Sequence, residues 1–116
     1  MEEAQMVNID EDLMALNIPV WEQGSAPENL PDEYFTFSED YSSDHLSADN
    51  STKEVLYEFT LRYYTKNAEI IYSRMIDALE LLKSKGYITT GTGYRGEAYR
   101  DTWFCRQADI KKIEYV

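Results

Sequence analysis

The stretch KEVLYEFTLRYYTKNAEIIYSRMIDALELLKSKG, residues 53–86, contains the two clearest secondary-structure elements of the sequence. Its first half is apolar at every second position, and the residues concerned would share one face of a strand: Val55, Tyr57, Phe59, Leu61 and Tyr63. Such alternation is typical of an antiparallel strand with one buried face. We therefore predict a strand over residues 53–66.

The second half of the stretch has the period of a helix. Apolar residues recur every three or four positions and form one stripe: Ala68, Ile71, Tyr72, Met75, Ala78, Leu79 and Leu82. Asn67 is a typical N-cap residue. Gly86 suits the left-handed position that follows many helix ends. A long helix with one buried face is therefore predicted between Asn67 and Gly86.

The start of the sequence predicts a shorter helix and an edge strand. Apolar residues recur with helical spacing at Met6, Ile9, Leu13 and Leu16. They predict a helix over residues 2–16, which stops near Asn17. Residues 18–21, "IPVW", predict a short strand, and Pro19 places it at a sheet edge or a strand start.

The remaining segments complete the predicted fold. Residues 33–43 alternate, with Phe35 and Phe37 on one face, and predict a strand. "SSDHLSADNSTK", 42–53, is predicted to be a loop or the tip of a long hairpin. The segments 87–90 and 102–116 predict the last strands. The whole chain, 1–116, is therefore predicted to be one α+β domain: an antiparallel or mixed sheet with one long helix packed on one face and a short N-terminal helix.

The segment "GTGYRG", residues 91–96, matches the glycine spacing of a dinucleotide-binding turn. That motif needs a helix beginning inside it and a parallel strand beyond it, whereas the residues after Gly96 are aromatic and β-branched, without a helical stripe. Glu97 also stands where a phosphate-binding loop would have lysine. We therefore predict a hairpin that joins two antiparallel strands, has positive φ at some glycines and binds no nucleotide.

Composition limits the classes of partner. The chain has 22 acidic and 11 basic residues, a net charge of −11. Tight binding to nucleic acid or to an anionic membrane surface needs clustered Lys and Arg and is not expected. The single cysteine permits no intrachain disulfide and favours a reducing compartment. The first twenty residues lack the features of a signal peptide, so we expect a protein that is soluble and intracellular when made.

The sequence offers few residues for chemistry. His45, with Asp40, Asp44 and Asp49 nearby, matches no zinc or calcium spacing and is predicted to lie in a solvated loop. Cys105 would be an inward-facing strand residue rather than a nucleophile. No catalytic set, metal site or cofactor site is predicted, and the protein is not expected to be an enzyme.

The order of segments resembles a known family. "NIPV", 17–20, is followed by a proline-bearing loop and "PDEYF", 31–35, then by the tyrosine-rich strand, the helix and the closing strand "CRQADIKKIEYV", 105–116. This resembles the small tail terminator, or tail completion, proteins of long-tailed phages and prophages. The resemblance covers nearly the whole chain, and it rests on pattern rather than on a chemical motif.

The resemblance implies a structural virion protein. Such a protein would form a ring, expected to be a hexamer, that caps the tail tube, contacts the tail tube protein and joins the head–tail connector. It would reside in the virion tail, and in the host cytoplasm before assembly. DNA would at most pass through the ring, which an acidic wall suits. No cofactor and no membrane partner are implied.

A ring contact needs two different patches on each subunit. The patches predicted here are the edge strand at 18–21 and the closing strand 103–115, and the polar segment at 40–52 is predicted to add to the assembly surface. The candidate interface residues are Ile18, Val20, Trp21, Asp44, His45, Leu46 and Trp103. The alternative is a small acidic binding protein, either a DNA mimic or an inhibitor of a basic partner, which would be a stable monomer or dimer.

Overall fold

The computed structural model describes residues 8–46, 53–98 and 102–115, with the backbone alone at 41–46, 53 and 115. Two helices and six strands follow one another in these ranges: α1 (Ile9–Asp12), β1 (Val20–Glu22), β2 (Glu33–Leu46), β3 (Lys53–Thr65), α2 (Ile71–Ser84), β4 (Ile88–Thr89), β5 (Tyr94–Gly96) and β6 (Phe104–Tyr115). Short 3₁₀ turns at Met14–Leu16 and Ala68–Ile70 adjoin the two helices.

The strands form one mixed sheet in the order β1-β2-β3-β6-β4, and β5 also pairs with β6. β1 is parallel to β2, and every other pair is antiparallel. The predicted α+β class is thus confirmed. Of the two predicted kinds of sheet, antiparallel or mixed, the structure has the mixed one. β6 lies between β3 and the β4–β5 edge, so the predicted closing strand is an interior strand over most of its length.

The longest pairing is the β2–β3 hairpin, which runs from Glu33 opposite Thr65 to Leu46 opposite Lys53. Of the two predictions for residues 42–53, a loop is wrong for residues 42–46 and 53, which are strand, whereas the long hairpin is confirmed, and residues 47–52 lie outside the described residues. Polar side chains hid the end of this strand from a prediction based on apolar pattern, because strands pair through backbone hydrogen bonds. A bulge at Asp40 adds one residue to β2. The molecule measures 53 × 29 × 24 Å along its principal axes.

One face of the sheet is covered by the helices. Alternate residues of β2, β3 and β6 pack there against the buried side of α2 and against Ile9 and Leu13, and the central members are Phe35, Leu61, Tyr63, Met75, Leu79, Leu82 and Ile110. The predicted strand faces are confirmed. The helix stripe was too wide, because Tyr72 is 52% exposed and Ala68 is also exposed. Asn67 caps the helical segment by accepting the N–H of Glu69.

The first helix is shorter than the prediction. α1 has four residues and continues into a 3₁₀ turn that ends at Asn17, which has φ 59°. The helical bond from the N–H of Leu13 to the carbonyl of Ile9 gives way to the tighter bonds Leu16 to Leu13 and Asn17 to Met14. The stop at Asn17 is confirmed, and residues 2–7 of the predicted helix lie outside the described residues.

The glycine segment is not a hairpin joining two antiparallel strands. β4 and β5 run in the same direction along one edge of β6, with residues 90–93 bulging opposite Ala108 and Asp109. The Arg106 guanidinium donates to the carbonyls of Thr92 and Gly93, both at 2.9 Å. Gly93 has φ +84°, and a Cβ there would lie 2.7 Å from the Gln107 carbonyl oxygen. The glycines thus allow a close approach to β6, and no helix follows them in the described residues.

Candidate functional site

The predicted edge segment lies at a free edge of the sheet. β1 pairs only with β2 in the described part of the chain, so its outer backbone groups point away from the sheet. Ile18 and Val20 pack partly against the main core, while Trp21 packs on the other face, with its ring centroid 5.6 Å from that of Tyr34. The edge therefore offers a partner its backbone and only part of these three side chains.

A groove opens beside β1 on the helix-bearing face. It encloses about 460 Å³, and its apolar lining includes Ile9, Val20, Phe37 and Phe59. The rings of Phe37 and Phe59 meet edge to face, with centroids 6.5 Å apart. We call this the acidic groove, because three exposed carboxylates stand around it, on Asp10, Glu22 and Glu39.

The register explains why the Glu22 and Glu39 carboxylates point toward the groove. Glu22 pairs with Phe37 and Glu39 with Phe59, and residues directly opposite in a sheet project from the same face. Within the described residues none of the three carboxylates forms a salt bridge. Sequence reasoning missed this site, because acidic residues were abundant and only the fold brings α1, β1 and β2 together here.

The opposite edge of the sheet is basic and aromatic on the same face. Arg95 of β5 lies directly opposite Arg106 of β6. The Arg106 guanidinium carbon lies 5.1 Å from the centroid of the Tyr72 ring, a cation–π contact. Tyr72 is 52% exposed and Phe104 is 45% exposed. We call these four residues the basic edge.

The basic edge places two arginines at directly opposite positions. Like charges directly opposite each other on paired strands repel, and neither arginine forms a salt bridge with any residue that the structure describes. A cavity of about 390 Å³ lies between this edge and the start of the helical segment, with Ala68, Ile71, Arg95 and Phe104 among its lining residues. The surface thus combines positive charge with exposed aromatic area.

Trp103 belongs to a second, smaller core on the opposite face of the sheet. It is 6% exposed and packs with Tyr34, Tyr64 and Cys105. Its ring centroid lies 5.4 Å from that of Tyr34, edge to face. The structure therefore places this predicted interface residue inside the domain, where it offers little surface to a partner.

Cys105 is buried in the same cluster, as predicted for an inward-facing strand residue. Burial raises the pKa of its thiol to about 11, so little thiolate forms at neutral pH. The arrangement disfavours nucleophilic chemistry at this sulfur.

The three predicted interface residues of the hairpin lie at the far end of β2. Asp44 pairs with Val55, His45 with Glu54 and Leu46 with Lys53. Their backbone is strand, and the structure describes none of their side chains. They lie on a different part of the molecule from β1 and from Trp103, so the predicted residues do not form one continuous site.

The sheet face opposite the helices carries a polar network that the sequence did not reveal. Arg62 donates to Gln23 at 3.0 Å, and Thr60 donates a short hydrogen bond to Asp40. Asp40 also accepts from Ser38 at 3.2 Å. The predicted alternation put Thr60 and Arg62 on one face, but the partners from β2 and the loop after β1 depend on the fold.

Among residues 8–46, 53–98 and 102–115, no group of three or more His, Cys, Asp or Glu side chains is placed to hold a metal ion. No helix in these ranges has the length and apolar character needed to cross a membrane.

Comparison of the sequence with models of known protein families gave no match, and comparison with curated proteins also gave none. The resemblance to tail terminators therefore stays a prediction.

Proposed function

We propose that the protein is a tail terminator of a long-tailed phage or prophage. It caps the tail tube as a ring, expected to be a hexamer, and joins the tube to the head connector. One observation carries this proposal beyond the resemblance: each subunit has two unlike surfaces, the acidic groove and the basic edge, at opposite edges of one sheet. Identical subunits close into a ring only through two different, complementary patches.

The end of the hairpin supplies a further assembly surface in this proposal. Among the described residues, β2 beyond Phe37 pairs with β3 alone, and β6 beyond Lys111 also pairs with β3 alone. The result is a three-stranded arm with a free edge on each side, and free edges are templates for pairing with another chain. We assign contact with the tail tube protein or the connector to this arm, which carries Asp44, His45 and Leu46.

The charge of the protein suits a ring around DNA. A net charge of −11 disfavours adhesion to the phosphate backbone, so DNA passes without specific binding. The proposed role is structural and needs no catalytic residue, cofactor or membrane. In this proposal the protein works in the virion tail after a period in the host cytoplasm.

The test is deletion of the gene from the phage or prophage genome that carries it, with tails examined by electron microscopy. We expect tails of abnormal length without heads, and restoration by the wild-type gene. A complementing gene can carry a shortened arm, in which an Asn-Gly turn replaces residues 43–56. This protein should still fold, because none of the described core residues lies in that range. It should not restore the tails, because it lacks the end of the arm. Tails of normal length after the deletion, or a genome that makes no tails, would refute the proposal.

The alternative, a small acidic protein that binds a basic partner, is favoured by the three carboxylates around the acidic groove. It predicts a monomer or dimer at every concentration and normal tails after gene deletion. The same deletion therefore separates the two functions.

A further inference from the structure

We infer that the acidic groove of one copy of this chain receives the basic edge of a second copy, in a head-to-tail contact. The inference rests on the proposed ring and names the surfaces that form it. The groove has apolar walls and three carboxylates, and the basic edge has two exposed aromatic rings and two arginines. The groove supplies negative charge and the edge supplies positive charge, so the two surfaces are complementary.

Charge complementarity selects the second copy as the occupant. Asp10, Glu22 and Glu39 have no cationic partner among the described residues, and Arg95 and Arg106 have no anionic one. Contact between copies would place these opposite charges together. Aromatic residues beside arginine are the usual anchors of protein interfaces, and Tyr72 and Phe104 have that position here.

The geometry makes the contact heterologous. The groove adjoins β1 and the basic edge includes β5, which lie at opposite edges of the sheet. Both surfaces are on the helix-bearing face, because Val20 packs in the main core and Arg106 contacts Tyr72 of α2. A subunit that uses one surface still has the other free, so the contact passes from subunit to subunit, as the proposed ring requires.

The experiment uses two variants of the full chain. The groove variant is Glu22→Arg/Glu39→Arg, and the edge variant is Arg95→Glu/Phe104→Ala. These four side chains are exposed and make no described hydrogen bond, so both variants should keep the fold, which circular dichroism and urea unfolding check. Charge-matched controls on the outer face of α2 are Asp77→Arg/Glu80→Arg and Lys83→Glu.

Sedimentation velocity over about 1 µM to 1 mM measures association. We expect the wild type and both controls to associate, and each interface variant to associate at least about tenfold more weakly, because like charges then face each other. A mixture of the two variants should form a 1:1 dimer with wild-type affinity. In that dimer the intact groove of the edge variant meets the intact edge of the groove variant.

Three results would overturn the inference: wild-type association of either variant, a mixture no stronger than its components, or a wild type that stays monomeric throughout. The outcome is separable from the proposed function. If gene deletion alters the tails but both variants restore them, this contact is wrong and the tail role stands. If deletion leaves tails normal while the mixture forms its dimer, the contact stands and the tail role falls.

Discussion

Replacing Gly93 by alanine tests the structural explanation of the glycine segment. Gly93 has φ +84°, and its added Cβ would lie 2.7 Å from the Gln107 carbonyl oxygen. An ordinary contact between carbon and oxygen is about 3.3 Å or more, so β5 must move away from β6 by about half an ångström. Left-handed strain costs about 1–2 kcal/mol and the clash about 1–3 kcal/mol, while the stiffer unfolded chain returns about 0.4–1 kcal/mol. We expect the free energy of unfolding to fall by about 2–4 kcal/mol.

Gly24→Ala is the matched control. Gly24 has φ +92°, but a Cβ there would meet nothing within 4 Å. It therefore carries the strain without the clash, and we expect a loss of about 1 kcal/mol. Urea unfolding of the two variants beside the wild type measures the difference. Hydrogen exchange of the β5 amides should accelerate only in Gly93→Ala. Equal losses in the two variants would show that the close approach of residue 93 to β6 is not what requires glycine.

Three other predictions concern the core and its buried ionisable groups. Leu79→Ala should lower the free energy of unfolding in urea by about 2–5 kcal/mol, because Leu79 is 3% exposed. Glu80→Ala, at an exposed position, should change it by no more than about 0.5 kcal/mol. Equal losses would contradict the assignment of the buried face of α2. Burial raises the pKa of the Cys105 thiol to about 11 from 9.0. Its reaction with a thiol reagent at pH 8 should therefore be at least about a hundredfold slower in the folded protein than in urea. Equal rates would contradict the burial of this thiol. Burial and the Asp12 carboxylate hold the pKa of Tyr87 far above its usual 10.0. The unfolded chain therefore loses this proton first, so the free energy of unfolding should fall as pH rises above about 10, and it should fall less steeply in Tyr87→Phe. An unchanged pH dependence in that variant would refute the raised pKa of Tyr87.

The sequence was informative where local pattern and tertiary burial agree. The faces of β2 and β3 and the Asn67 cap could be predicted, because period and capping are local properties. The continuation of β2 through residues 44–46 could not be predicted, since their side chains do not alternate and the pairing depends on the backbone of residues 53–55. The two candidate surfaces were also out of reach. Arg95 and Arg106 become neighbours only through the pairing of β5 with β6, and nothing near either residue in the sequence signals that register.

The interior position of β6 has a consequence for folding kinetics. β3 pairs with β6 along its whole length, from Thr65 with Phe104 to Glu54 with Tyr115, so the partners lie roughly 40 to 60 residues apart in the chain. The hairpin of β2 and β3 closes over a short span, whereas this pairing must first overcome the entropy of a long loop. We therefore expect slow, millisecond-to-second folding that is limited by the docking of β6. Until β6 docks, the partner edge of β3 stays open, which makes the half-formed sheet the species most prone to aggregation.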